Sequence, residues 1–120
     1  MICSNTREDV HGYVASVLTL YLQLPETPLK ASSHDRQTAA ALHARGVALF
    51  AVESALLLAS VRRLGRSPEL PPLSPIRSLA YFLPVIQELL DNPIPEDYLA
   101  YLRMKAHSLS IRNGITAKCG

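Results

Sequence analysis

Residues 47–64 read VALFAVESALLLASVRRL. Only Glu53, two serines and two arginines interrupt a run that is otherwise apolar. At 3.6 residues per turn, the apolar positions point around almost the whole circumference of a helix. The run is longer than a typical buried strand, and its alanine and leucine residues favour a helix. We therefore predict a central helix over 47–64 that the rest of the chain encloses.

Proline, glycine and capping residues divide the rest of the chain into further helical segments. Pro25 ends the first segment. Ser32 or Ser33 caps the second, which has Asp35 in its first turn. Gly46 then supplies the left-handed residue that ends this segment. The predicted helices are 6–24, 33–45, 47–64, 75–91 and 95–107. We therefore predict an all-α fold, in which residues 1–120 form a single-domain bundle of five to six helices around 47–64, with frayed ends at about 1–5 and 110–120.

The connection between the third and fourth helices is rich in proline. The segment 65–74, called the strap below, holds three prolines and predicts an extended chain over one end of the bundle. Ser74 and Pro75 then start the fourth helix as a capping residue followed by a first-turn proline. Pro84 lies inside that helix, where its ring removes a hydrogen bond and clashes with the preceding turn. It therefore either kinks the helix or splits it into two short helices that meet near Leu83.

The composition excludes several classes of protein. With 48% apolar and 18% charged residues, the chain is too hydrophobic to stay disordered. Its longest apolar stretch contains Glu53 and falls short of the ~20 residues that cross a membrane. The polar start of the chain is unlike a secretion signal. Cys3 and Cys119 fit two free thiols better than a bridge between the ends. We expect a cytoplasmic protein.

The sequence offers no recognisable catalytic or metal-binding grouping. No two of its four histidines have the i, i+4 spacing with which a helix grips a metal ion. It also has neither a glycine-rich phosphate loop nor a nucleophile elbow. We expect no enzymatic activity, no metal ion and no cofactor.

Glu53 is the one acid in the middle of the central run. If Glu53 is buried, its carboxylate needs a partner, and Arg36 or Arg77 is available. A buried Glu53 can also anchor a small molecule in an apolar pocket between helices. If it is exposed, it lies on a polar strip together with Ser54 and Ser60. The sequence leaves both interpretations open.

The main basic cluster consists of Arg62, Arg63, Arg66 and Arg77. Four guanidinium groups can hold the phosphates of a nucleic-acid backbone without reading its sequence. Alternatively, they complement the dipole at the end of the central helix and pair with acids of neighbouring helices. No aromatic residues alternate with these arginines, as single-strand binding requires, so the second interpretation is favoured. Four aromatic residues are predicted core and interface anchors: Tyr81, Phe82, Tyr98 and Tyr101.

The segment 39–57 has the pattern of a helix-turn-helix unit with Gly46 at the turn. Its second helix carries apolar residues where a DNA reader needs polar ones, so a plain helical hairpin in the core is the preferred interpretation. The stretch PIRSLAYF at 75–82, with Asp35-Arg36 and Arg45-Gly46-Val47 upstream, resembles the C-terminal helical region of replication-associated or helix-turn-helix proteins of bacterial mobile elements. The resemblance covers about residues 35–103 and implies a DNA-handling context.

These observations predict a non-enzymatic helical interaction or adaptor module from a bacterial mobile or accessory element. Because few residues are charged, some apolar helix surface needs covering, and we expect a homodimer or another protein partner and no membrane. One alternative is a nucleic-acid-binding protein that uses the arginine cluster. A second alternative is a small-molecule-binding helical sensor anchored by Glu53.

Overall fold

The fold is a bundle of α-helices whose longest connection, residues 65–78, begins with the strap. The computed structural model describes the backbone of residues 6–112 and the side chains of residues 9–111, a range without β-strands. It comprises α1 Thr6–Leu22, α2 Ser33–Ala44, α3 Leu49–Leu64, a 3₁₀ helix Leu79–Phe82, α4 Leu83–Asp91 and α5 Glu96–Arg112. The predicted all-α bundle is confirmed. Residues 1–5 and 113–120, which include Cys3 and Cys119, lie outside the described residues.

α3 is the enclosed helix of the bundle, as the run at 47–64 predicts. α1, α4, α5 and the 3₁₀ helix all pack against it. Only Leu49 and Arg62 among its 16 residues have exposed side chains. Full burial of a side chain such as Val52 or Leu56 contributes roughly 1.5–3 kcal/mol. Hydrophobic burial against α3 therefore holds the surrounding helices together.

The turn around Gly46 separates α2 from α3 and delays the start of α3 to Leu49. Gly46 has a φ of 76°, in the left-handed region that glycine adopts without strain. Its N–H donates to the carbonyl of His43 over 3.0 Å, and the N–H of Val47 donates to the carbonyl of Leu42 over 3.1 Å. This pair of bonds is a Schellman motif, which ends α2 as predicted.

The two helices that flank this turn find their main partners elsewhere. α2 packs along α1 and against the 3₁₀ helix, whereas α3 packs most extensively against α5 and α4. α2 and α3 therefore follow each other across a tight turn in the core, as expected of a helical hairpin, but they pack mainly against other helices and not against each other. Leu42 and Val52 are both buried, but within a core to which α1 and the 3₁₀ helix also contribute.

The fourth helix begins later than predicted. Ser74 and Pro75 do not start a helix; instead Ser78 caps the 3₁₀ helix, its hydroxyl accepting the N–H of Ala80 over 3.0 Å. α4 follows with Pro84 in its first turn, where the missing N–H costs no hydrogen bond. A continuous helix from Pro75 would have driven the proline ring into the preceding turn. The alternative of two short helices that meet near Leu83 is confirmed.

α5 runs further than the predicted end at His107. It continues to Arg112, and Leu109 near its end is buried. Leu109 extends the buried side that Leu99 and Leu102 form where α5 packs against α3. Part of the segment predicted to fray from 110 onward is therefore helical.

Asp35 connects the start of α2 to the 3₁₀ helix. One carboxylate oxygen accepts the N–H of Ser32 over 2.9 Å, while the hydroxyl of Ser32 accepts the N–H of Asp35 over 3.1 Å, which completes a capping box. The other oxygen accepts the N–H of Leu79 over 3.0 Å. Burial works to raise the pKa of Asp35, but these hydrogen bonds outweigh it and lower the pKa below its usual value.

We expect Asp35→Asn to lower the free energy of unfolding at neutral pH by about 2 kcal/mol, because the amide turns a donor toward a backbone N–H that needs an acceptor. The lowered pKa means that the carboxylate stabilises the fold above the unfolded-state pKa of about 3.9 and loses this effect as pH falls. Urea unfolding should therefore show a gap between wild type and variant that narrows below about pH 4. The control, Asp91→Asn at an exposed carboxylate, should leave stability nearly unchanged; an equal loss in both variants would contradict this role of Asp35.

Candidate functional site

Three of the four predicted arginines meet at an open cleft between the end of α3, the strap and the start of α4. The cleft has a volume of about 340 Å³ and is lined by Ala59, Arg62, Arg63, Arg66, Leu73, Tyr81 and Val85. Arg77 is exposed and does not belong to this lining. The structure therefore brings together most of the predicted cluster and leaves out its last member.

Arg63 is buried beneath the cleft and holds three parts of the chain together. Its Nε donates to Oε1 of Glu26 over 2.7 Å, one terminal nitrogen donates to the Tyr81 hydroxyl over 3.3 Å, and the other donates to the carbonyl of Ser74. The guanidinium also lies 5.7 Å from the ring centroid of Tyr81. Burial disfavours the charged form, but the hydrogen bonds to Glu26 and Tyr81 outweigh it and raise the pKa of Arg63. Most of its five N–H donors are therefore already used within the fold.

Arg62 and Arg66 are also engaged by neighbouring groups. Arg62 donates two parallel hydrogen bonds to the carboxylate of Glu88 in α4, over 2.9 and 2.6 Å, and they lower the pKa of Glu88. Arg66 donates to the carbonyl of Pro71 in the strap over 2.9 Å. Pairing of the arginines with acids of neighbouring elements is thus what the structure shows for Arg62 and Arg63. The two carboxylates offset part of the positive charge of the cleft.

Glu53 is partly buried and paired, but with neither of the partners considered from the sequence. Its side chain is 18% exposed, and its Oε2 accepts from Nε of Arg103 in α5 over 2.9 Å. The polar strip expected with Ser54 and Ser60 is wrong, because both serines are buried. The pair links α3 to α5 and occupies the carboxylate that a small-molecule site would use.

The enclosure of α3 also bears on the helix-turn-helix interpretation. A recognition helix presents polar side chains to the edges of DNA bases. Leu49 is the only exposed side chain in the N-terminal half of α3, and the opposite sides of this helix are covered by its neighbours. α3 therefore lacks the polar open face of a DNA reader.

The outer face of α5 carries an apolar surface that sequence reasoning did not separate from the core. Tyr98, Tyr101, Met104 and Ile111 are 38%, 44%, 59% and 65% exposed. At 3.6 residues per turn, Tyr101, Met104 and Ile111 point roughly 110–170° away from the buried side of α5, whereas Tyr98 lies between them and that side. The rings of Tyr98 and Tyr101 stack on each other, with centroids 5.4 Å apart. The predicted interface role of these two tyrosines is compatible with this position, whereas Phe82 is a core residue.

In the described part of the chain, two serine hydroxyls lie in the core without an activating neighbour. The hydroxyls of Ser54 and Ser60 are buried without a hydrogen-bond partner between residues 9 and 111, so no base activates them. Burial, with a contribution from Asp35, raises the pKa of Tyr21 to about 12, which keeps its phenol protonated. Within the same range, no three side chains of His, Cys, Asp or Glu gather as metal ligands. No helix of the described range is both long and apolar enough to span a bilayer.

Comparison with known proteins gives no relative for this chain: no protein-family model, curated protein or solved structure matches it.

We expect Arg63→Ala to lower the free energy of unfolding by about 2–3 kcal/mol, because Glu26 and the carbonyl of Ser74 both lose their shared partner. Arg62→Ala, in the same turn of α3, removes a solvent-exposed ion pair and should change stability much less. Urea unfolding of both variants measures the difference. Equal stability of the two variants would show that Arg63 does not hold the strap in place.

Proposed function

We propose that the chain is a non-enzymatic helical interaction module that forms a homodimer through the outer face of α5. The observation that carries this proposal is the group of exposed apolar side chains on α5, Tyr98, Tyr101, Met104 and Ile111. Several large apolar side chains exposed on one helix favour a protein interface. Tyrosine and methionine are also enriched at such interfaces.

The packing of α5 explains why its outer face is available to a second copy. The inner side of α5 is already satisfied by α3, through Leu99, Leu102 and Leu109 and through the ion pair between Glu53 and Arg103. Removing the outer face from water therefore needs no rearrangement of the bundle. Association is favoured by a free energy of roughly 25 cal/mol per Å² of buried apolar area. It is opposed by the entropy lost when two molecules combine.

We also propose a source and a location for the module. The resemblance of residues 75–82 supports a bacterial mobile or accessory element as its source, with the cytoplasm as its location. In the structure, this stretch forms the end of the long connection and the 3₁₀ helix, both of which are packed into the bundle.

Met104→Glu should weaken the dimer at least tenfold, because the change places a charge in the middle of the apolar face. The matched control is Leu70→Glu, which introduces the same charge at an exposed leucine of the strap and should leave the dimer intact. Sedimentation velocity over a range of protein concentrations measures both, and circular dichroism checks that both variants fold. Wild-type protein that stays monomeric into the millimolar range would contradict the proposal.

Phosphate-backbone binding is the second candidate function, and it is supported by the convergence of Arg62, Arg63 and Arg66 on one cleft. Because Arg62 and Arg63 are paired with acids, Arg66 and Arg77 are the residues that remain available for phosphate. We expect Arg66→Ala combined with Arg77→Ala to weaken any binding to double-stranded DNA at low salt and to reduce its salt dependence. A gel-shift assay measures this effect, with Lys30→Ala on the α1–α2 connection as the control. Binding by the double variant equal to that of wild type would remove this candidate.

A further inference from the structure

We infer that two copies of the chain pair through α5 in antiparallel orientation, with a two-fold axis beside Tyr101 and with Asp97 of each copy facing Lys105 of the other. The inference rests on the proposed self-association and specifies its geometry. It assigns an interface role to two charged residues that form no ion pair with another residue between 9 and 111.

The outer face of α5 is arranged symmetrically about Tyr101. Tyr98 and Met104 lie three residues before and after it, and Asp97 and Lys105 lie four residues before and after it. Residues three and four apart share one side of a helix. At 1.5 Å per residue, the apolar pair lies about 4.5 Å and the charged pair about 6 Å from Tyr101 along the axis, in opposite directions. The spacing of these side chains from Tyr101 is therefore the same in both directions along α5.

Only the antiparallel orientation brings unlike groups together on this face. A two-fold axis perpendicular to α5 at Tyr101 places Tyr101 against its own copy, Tyr98 against Met104, and Asp97 against Lys105. A parallel pair in register would instead place Asp97 beside Asp97 and Lys105 beside Lys105. Like charges opposite each other disfavour association, whereas the complementary arrangement fixes the register. Thioether and aromatic ring also form a favourable contact across the antiparallel pair.

Asp97 and Lys105 are available for this pairing. The ion pairs of residues 9–111 are Arg62 with Glu88, Arg63 with Glu26 and Arg103 with Glu53, so neither Asp97 nor Lys105 is engaged in one. Asp97 is exposed and Lys105 is half-buried. Their surroundings differ in this respect from those of Arg103 on the same helix, whose guanidinium is held by Glu53.

The tyrosines on this face lose little freedom when they are covered. Tyr98 and Tyr101 already stack with an interplanar angle of 22°, which orders both rings before a second copy arrives. Ordered aromatic side chains lower the entropy cost of association. Their stacked surface supplies apolar area at the interface, and the Asp97 and Lys105 pairs lie about 6 Å from Tyr101 along the helix axis.

A charge-reversal experiment tests this orientation. In the antiparallel dimer, Asp97→Lys or Lys105→Asp alone turns two symmetry-related attractions into repulsions and should raise the dimer Kd about tenfold at low salt. The double variant Asp97→Lys with Lys105→Asp restores opposite charges and should return the Kd close to that of wild type. Sedimentation equilibrium gives the four Kd values, circular dichroism confirms the helix content of each variant, and added salt should shrink the differences.

The outcomes separate the orientation from the proposed dimer. Weakening by each single variant with recovery in the double variant supports the antiparallel pairing. Four equal Kd values would overturn it while leaving the dimer through α5 standing. A wild-type protein that does not dimerise would overturn both the orientation and the proposed function.

Cysteine cross-linking gives a second, independent test. In a background with Cys3→Ser and Cys119→Ser, Tyr101→Cys places a thiol next to the two-fold axis, where it meets its own copy within disulfide reach. Tyr98→Cys lies opposite Met104 instead, about 9 Å along the axis from its own copy in the antiparallel dimer. We expect covalent dimer under mild oxidation for Tyr101→Cys only. Equal cross-linking of both variants would indicate the parallel orientation and overturn the inference.

Discussion

The burial of α3 is the constraint on which the rest of the structure depends. A helix that is apolar around most of its circumference is stable in water only when other elements cover it, and α1, α4, α5 and the 3₁₀ helix do so. Polar interactions then fix how these covering elements sit. Arg63 holds the strap and the α1–α2 connection to the end of α3, and Arg103 holds α5 to Glu53. Asp35 joins the start of α2 to the 3₁₀ helix. Because hydrophobic burial has no direction, these bonds give the bundle a unique arrangement.

Local signals in the sequence were sufficient to predict most of the helices. They were not sufficient to predict the long-range contacts between them. Hydrophobic periodicity, the capping box at Ser32 and the left-handed Gly46 act within a few residues, so the sequence shows them directly. The pairing of Arg63 with Glu26 spans 37 residues and that of Arg103 with Glu53 spans 50, and neither is visible before the fold is known. Ser74 with Pro75 has the pattern of a helix start, yet the hydrogen bonds that Ser74 and Ile76 make with the bundle keep that segment extended. Tertiary contacts there outweigh the local preference.

The arginine cluster and α5 are two further regions in which the sequence alone does not predict the long-range contacts. The charge of Arg62, Arg63 and Arg66 was evident, and their convergence on one cleft follows from their spacing at the end of α3. What the sequence could not show is that Glu26 and Glu88 approach from other elements and use the guanidinium groups. On α5, the sequence did not show which apolar residues face the bundle. The structure divides them into an inner side against α3 and an outer side in water. The outer side is the surface through which we propose that α5 pairs with a second copy.

The central claim is that a second copy of the chain covers this outer face. Hydroxyl-radical footprinting at increasing protein concentration tests it within the unaltered protein, since Met104 and Tyr101 are exposed and reactive in a single copy. Tyr81 has a similar exposed fraction, 46%, and lines the arginine cleft from the 3₁₀ helix instead of belonging to α5, so it serves as an internal reference. We predict that oxidation of Met104 and Tyr101 falls as concentration rises while that of Tyr81 stays constant. Unchanged oxidation of Met104 and Tyr101 over the whole concentration range would contradict the account.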